Sequence, residues 1–443
     1  MTAPAGDLLQ HQRALAAGLY GTGLPALQEL RQQSIAAFAA HGLPTQRNEE
    51  WRYANLSVLR TTNFKPGAGT MLAHERERIL LGYLLAGIGD ERMVFVNGAF
   101  APQLSSLPAP VAGCTLTTLA AAAATHGSLL TAHLGSTFSA ARHPLAALNT
   151  AMHADGLFLH LAAQQTLATP LHVACLSSAD ESPTAIHPRL LLVLEAGARA
   201  TLTLSFQGSG PLHVNAVTEI VLGPGAVLDL QVLQEDSAAA VHTELISTRI
   251  GAGARCGVHI AALGGASSRA EIVALLEGDD AATEISGLII GGQTQTHDLT
   301  TLVRHQALRT NSHQVVKAVL DGHSTGAYSG RVSVAVDAQK TDAAQSCRAL
   351  LLSADASMNT RPQLEIDADD VKCSHGATNG QLDAEALFYL RSRGIALAEA
   401  RMLLTRAFAD EVIDRFPLDC VRTHLHGRVD GRIARRDTVG VLA

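Results

Sequence analysis

The chain has 443 residues, 47% of them apolar and only 16% charged, with a mean hydropathy of +0.16. That length closes a large core in two or three domains, and a charged fraction below the usual quarter leaves neutral surface for stacked strands or other subunits to cover. Thirty-three basic against 40 acidic residues give a net charge of −7, which disfavours nucleic acid as a partner because phosphate binding needs local positive charge.

The opening Met1 to Gly21 carries Asp7, Gln10, His11 and Gln12 where a secretory leader needs an apolar run, and no apolar stretch reaches bilayer length. The expectation is a cytoplasmic chain. Residues 1–92 read as an N-terminal helical domain, with Leu27, Leu30, Ile35, Ala36 and Phe38 as one apolar stripe and Ile79, Leu80, Tyr83 and Leu84 as another. Between the stripes lies Asn48-Glu49-Glu50-Trp51-Arg52-Tyr53, which holds the only Trp and reads as a packing anchor.

From Met93 the pattern becomes β, and residues 93–380 read as the core domain. Gly197, Gly225 and Gly253 are each followed by Ala and are evenly spaced, the step from 197 to 225 being the same as that from 225 to 253. Five and seven positions past each stand Leu202 and Leu204, Leu230 and Val232, then Val258 and Ile260; three before each stand Leu194, Leu222 and Ile250. Strand, glycine turn and strand at a fixed period describe the coils of a β-helix, mainly β in class. The frame of a leucine-rich repeat is absent, and the period is too short for propeller blades. Later segments, Ala282 to Gly292, Asp298 to His305 and Gly330 to Val336, keep strand character while the period loosens, so the last coils are expected to be irregular. Residues 381–443 read as a C-terminal helical domain: Asp383 caps a helix holding Leu387 and Leu390, Gly394 stops it, and Ala400, Leu403, Leu404, Ala407, Phe408 and Val412 face one side of a second helix. Arg428, Arg432, Arg435 and Arg436 read as a solvated tail.

Most motifs that look chemical fail on context. Gly322-His323-Ser324-Thr325-Gly326 has the spacing of a hydrolase nucleophile elbow, yet a strand follows it where a helix is required. Gly223-Pro224-Gly225 and Gly251-Ala252-Gly253 also feed strands, and no phosphate loop occurs in a chain with only Lys65, Lys317, Lys340 and Lys372 as lysines. His424 and His426 near Cys420 read as a polar helix face, and Asp367, Asp369 and Asp370 as a solvated turn. The six cysteines are scattered, with no Cys-x-x-Cys, so they read as reduced thiols that cannot enclose a metal locally. In Val371-Lys372-Cys373-Ser374-His375-Gly376, strand alternation sets Cys373 and His375 on one side. Thiolate and imidazole both ligate iron, but two ligands leave a cluster half held.

Asn48 to Tyr53, Pro362-Gln363-Leu364-Glu365-Ile366 with Asp369 to Thr378, and Leu387-Phe388-Tyr389-Leu390-Arg391-Ser392-Arg393-Gly394-Ile395 together resemble the SufB/SufD family, the scaffold subunits of the SUF iron–sulfur cluster assembly system, and the first of these stretches is of the SufD-like kind. The resemblance spans essentially the whole chain. It implies a right-handed parallel β-helix between helical ends and no enzymatic activity of its own. It also implies a transient iron–sulfur cluster shared with SufB across the late coils, and docking of the ATPase SufC on the C-terminal helices. Phe388, Tyr389, Arg393, Leu403, Leu404 and Phe408 are then the partner-binding residues. A homodimer of the isolated chain and reduced flavin in the complex belong to the same expectation, although no flavin fingerprint is visible. Cys373 and His375 fall on the cluster-building positions. Cys347 precedes Cys373 by close to one period of the repeat and is an expected third ligand on a neighbouring rung, against the plainer reading of a core thiol. The competing class is a β-helix carbohydrate-active lyase or hydrolase, which needs carboxylates lining a groove along successive coils.

Overall fold

The computed structural model describes residues 10–11, 15–54, 56–67, 91–179 and 182–439, so Ile79, Leu80, Tyr83 and Leu84 lie outside the described residues. The core is a parallel β-solenoid of about eight turns. Successive strands alternate between two sheets. One sheet runs from Leu157–Leu161 through Arg189–Leu194, Leu212–Leu222, Val241–Ile250, Ser267–Leu276, Thr296–His305 and Thr325–Val334 to Ser357–Ile366. The other runs from Arg92–Val96 through Leu171–Ser178, Arg199–Ser209, Val227–Glu235, Arg255–Ala262, Ala282–Gly291, Asn311–Leu320 and Asp342–Leu351 to Lys372–Gly380. The repeat read from the sequence is the register itself: Leu202 pairs with Leu230 and Leu230 with Val258, while Leu204, Val232 and Ile260 form the next row. These side chains fill the lumen between the sheets, each coil burying the apolar row of the one below.

Gly197, Gly225 and Gly253 turn the corner between sheets at φ 70°, 68° and 64°. There the chain enters left-handed backbone, which a Cβ penalises. Each donates its N–H to the following coil, at Pro224, Ala252 and Asp279, over 2.8 Å. The corner persists after the glycines stop. Asp280, Arg309 and Lys340 hold φ 61°, 56° and 62° at the same place in the next three coils, and the step from one to the next lengthens along the chain. Arg309 Nε donates to Asp280 Oδ1 at 2.8 Å, and Lys340 pairs with Asp370. Exposed ion pairs accompany the later corners, where non-glycine residues hold the same left-handed backbone, so the glycine signal fades while the coil continues.

Three helices not anticipated within 93–380, Leu119–Thr125, Gly127–His133 and Pro144–Met152, pack with Pro25–His41 on the outer face of the first sheet. The first helix buries Leu27, Arg31, Ser34 and Phe38; Ala36, expected in the stripe, is exposed. Arg31 sits there because its guanidinium lies 4.7 Å from the Tyr20 ring and reaches the carbonyl of His153. Trp51 is the anchor its composition suggested, buried with Phe38, Leu145 and Leu148 and covered by the Arg269 guanidinium at 4.0 Å. Ala384–Ser392, Leu397–Ile413 and Asp419–Val439 close the chain, and the last two pack on the outer face of the second sheet against Leu233, Ala261, Leu288 and Ile290. Helices therefore cover both broad faces. At its starting end the solenoid is finished by antiparallel strands, Ala99–Phe100 and Cys114–Thr118. Among the described residues no such strand covers its final coil.

Candidate functional site at the open end

The last strand of each sheet, Ser357–Ile366 and Lys372–Gly380, bonds to one neighbour only. The N–H of Lys372 donates to Thr341 at 2.8 Å, and in a parallel ladder backbone groups alternate between the two edges. Residues 374, 376 and 378 therefore bond inward, leaving the backbone of Cys373, His375, Ala377 and Asn379 on the free edge. By the same alternation the N–H of Ser357 donates to Ser324, so the free-edge positions of the other strand are Met358, Thr360, Pro362 and Leu364. Pro362 fits there because an edge position asks for no N–H. The Asn379 amide closes one of these free carbonyls, donating to that of Met358 at 3.0 Å.

Cys373 and His375 lie in one row of the lumen face, as alternation predicted, opposite Ala343 and Gln345. Cys373 is half-buried and packs on the core, whereas His375 is exposed. Partial burial, with the Asp342 carboxylate adding to it, pushes the Cys373 thiol upward, so ligation must take its proton. Cys347 is on the adjacent coil as expected, but opposite Ala377. It stands four positions along from Cys373, about 13 Å at the usual strand rise. It is also fully buried, its thiol pushed up to about 12 by desolvation. The coil here pairs 343 with 373, so it is longer than the interval from 347 to 373. The two cysteines are on neighbouring coils, as expected, but offset along the strand. Among the described residues no three Cys, His, Asp or Glu side chains are gathered to hold a metal ion. The rim carries one half-buried thiol and one exposed imidazole on the same strand face.

The C-terminal helices divide the expected partner residues. Asp383 caps Ala384–Ser392 through the N–H groups of Glu385 and Ala386, and Gly394 ends it at φ 87°. This helix buries nothing: Phe388 is 75% and Tyr389 57% exposed, with Arg393 exposed beside them, its guanidinium 5.1 Å from the Tyr389 ring. The next helix buries Ala400 and Val412 as expected, but its inward face is rotated away from Leu403 and Ala407. Ala400, Thr405, Ala409, Val412 and Ile413 are buried, while Leu403 and Ala407 are exposed and Leu404 is half-buried. Phe408 lies under the Lys317 ammonium at 4.2 Å, and the same ammonium bonds Glu411 at 2.5 Å. Arg428 is not a free tail residue: it holds the buried Glu235 at 2.5 Å, together with His424 at 2.9 Å. His426 faces Asp410, and Ser324 is fully buried in its turn, out of reach of any substrate. Three buried carboxylates of the coils are held in ion pairs, Glu219 with Arg189, Asp298 with Arg269 and Glu271 with His143.

Sequence reading missed the polar interior beneath His375. Gln314, Tyr328 and Gln345 are buried at lumen-facing positions otherwise filled by hydrocarbon, linked by Gln345 Nε2 donating to the Tyr328 hydroxyl at 3.0 Å. The signal was available as polar residues in phase with the apolar alternation of Val316, Ala318 and Leu320.

Fold and rim together define a class: a parallel solenoid, helical on both faces, whose final coil, uncovered among the described residues, carries a thiol and an imidazole on one strand face. Residues 175–408 match the family model "SUF system FeS cluster assembly, SufBD core domain", and residues 8–173 match the SufBD protein N-terminal region. An iron–sulfur cluster assembly SufBD family protein of Synechocystis is 33% identical over 93% of this chain and 92% of its own length. The iron–sulfur cluster assembly protein SufD of Escherichia coli is 29% identical over 91% and 92%, and that of Bacillus subtilis 26% over 66% and 67%. The chain belongs to the SufBD family of iron–sulfur cluster assembly proteins. No helix among the described residues is long and apolar enough to cross a membrane.

Proposed function

We propose that this chain is a scaffold subunit without a catalytic residue of its own, working in the cytoplasm. It builds a nascent iron–sulfur cluster, its cargo, between its open coil and a SufB subunit. The observation that carries this is the coincidence of Cys373 and His375 with the free backbone edge. A partner strand that pairs with the edge necessarily brings its own side chains over the same lumen row, completing a site that here stops at two ligands. When SufB is absent, a second copy of the chain occupies the edge as a homodimer. The bare helix bearing Phe388, Tyr389 and Arg393, with Leu403 and Leu404 beyond it and Phe408 at its inner border, is the docking surface for the ATPase SufC within the module 381–443. Nucleotide-driven motion of SufC is then transmitted to the rim, because the helix Leu397–Ile413 rests on the strands of the second sheet. No residue is assigned to reduced flavin.

Co-expression with SufB and SufC tests the reading. His375→Ala and Cys373→Ser each lower iron and sulfide in the purified complex several-fold while leaving the complex assembled, and unchanged loading in both variants refutes the assignment. Phe388→Ser with Tyr389→Ser releases SufC and leaves SufB bound. Cys347 enters as a third ligand if the final strand lifts to uncover it. Cys347→Ser lowers loading in that case, and full loading returns Cys347 to the role of a core thiol.

A further inference from the structure

The lumen row that ends in His375 runs from Ile285 through Gln314 and Gln345, residues paired across successive coils. Gln314 and Gln345 are 0% and 3% exposed, as is fitting for a position where neighbouring rows hold valine and alanine. They are fixed by the facing sheet. Thr301 Oγ1 donates to Gln314 Oε1 at 2.7 Å, the Tyr328 hydroxyl approaches the same oxygen at 3.3 Å, and Gln345 Nε2 donates to that hydroxyl at 3.0 Å. Gly330 makes room for this column, since a Cβ there would stand 1.7 Å from Gln345 Nε2 and 2.5 Å from the Tyr328 oxygen. With its NH2 group engaged by Tyr328, the Gln345 amide is oriented, and its Oε1 is left buried without a hydrogen-bond partner; the NH2 of Gln314 one coil below is likewise unpaired and does not reach it. A buried acceptor left without a donor has given up its water and gained nothing in return. The next residue above it in the row is His375.

We propose that Gln345 is a positioning residue for His375: when one ring nitrogen of His375 takes a metal ion, the N–H of the other is donated to Gln345 Oε1. This rests on the reading of His375 as a ligand. Nothing is transferred; the hydrogen bond selects the tautomer, sets the ring plane and satisfies the orphaned oxygen. A ligating histidine generally needs such a carbonyl behind it, and here the carbonyl is held rigid by a column reaching two coils into the core. The exposed imidazole of the isolated chain turns inward as it binds.

The test uses the full chain and Co2+ alone as the probe, read by the thiolate-to-cobalt absorption that Cys373 contributes, with Cys373→Ser as blank. His375→Ala abolishes the signal that this blank defines. Gln345→Leu, which keeps the volume and removes the acceptor, weakens Co2+ binding about 10- to 100-fold. Gln345→Glu, which restores an acceptor, recovers most of it. Should Gln345→Leu fail to fold, Tyr328→Phe removes the hydroxyl that orients the amide, and a several-fold weakening is expected. If Gln345→Leu or Tyr328→Phe binds like the parent while His375→Ala does not bind, the positioning role is overturned and the ligand assignment stands. Gln345→Glu binding no better than Gln345→Leu also overturns it. If His375→Ala binds like the parent, the ligand assignment itself has failed.

Discussion

Two proline substitutions at adjacent positions separate the two edges of the final strand. Gly376 bonds inward to the strand Asp342–Leu351, whereas Ala377 presents its N–H to the free edge. Gly376→Pro removes a ladder bond and sets the ring against the Gln345 carbonyl, leaving that carbonyl unpaired at a cost of about 1–3 kcal/mol. Ala377→Pro removes no internal bond and costs the isolated chain under about 1 kcal/mol, the net worth of a hydrogen bond it does not lose. In association the order reverses in meaning. Four residues on this strand offer backbone groups to a partner, and each hydrogen bond formed is worth about 0.5–1.5 kcal/mol net. Proline at 377 deletes one donor and holds the incoming carbonyl away from its neighbour, so about 1–3 kcal/mol is lost, roughly a 5- to 150-fold weaker complex. Denaturant unfolding of the isolated chain and titration of SufB by light scattering or calorimetry read the two quantities separately. The argument from edge polarity is wrong if Ala377→Pro unfolds as readily as Gly376→Pro, or if it binds SufB with the parent's affinity.

Removing Glu219 tests what pins the inserted helices to the solenoid. Its carboxylate takes Arg189 at 2.5 Å and the N–H groups of Gly135 and Thr137, with both side chains of the ion pair fully buried. Glu219→Ala strands the guanidinium and is expected to cost about 3–5 kcal/mol, with protease cleavage appearing in 127–152; a loss below about 1 kcal/mol contradicts the account. The buried histidines set an acid limit. Desolvation lowers His172, His187 and His305 to about 4, so each favours the native state fully above the unfolded value near 6.5 and loses that contribution as pH falls toward 4. His242 acts in the opposite sense: burial alone would depress it, but Asp236 at 2.8 Å and Glu244 raise it to about 9, so its contribution is whole below about 6.5 and fades as pH climbs through 9. Unfolding free energy measured against pH should decline on both sides, and His242→Gln should flatten the alkaline side alone.

The solenoid was legible because stacking repeats the same demand at a fixed interval, and Gly197, Gly225 and Gly253 answer it with the one residue that turns the corner without strain. Where ion pairs such as Arg309 with Asp280 accompany the corner instead, the interval drifts and a sequence shows only unrelated charges. Strand alternation alone placed Cys373 and His375 on one side. It could not place Cys347, because register across coils depends on the length of each intervening turn, and one or two added residues shift a rung by half a side-chain period or more. The helix Leu397–Ile413 was assigned correctly and its face only in part: Ala400 and Val412 are buried as expected, but Ala409 and Ile413 join them in place of Leu403 and Ala407 because the sheet beneath supplies Leu288 and Ile290, information held far away along the chain. The local chain determined the coils, their corners and the pairing of a thiol with an imidazole. Only the tertiary structure decided that this pair stands at an uncovered edge, above an amide with an unanswered oxygen, since exposure and hydrogen-bond satisfaction are properties of what surrounds a residue rather than of the residue.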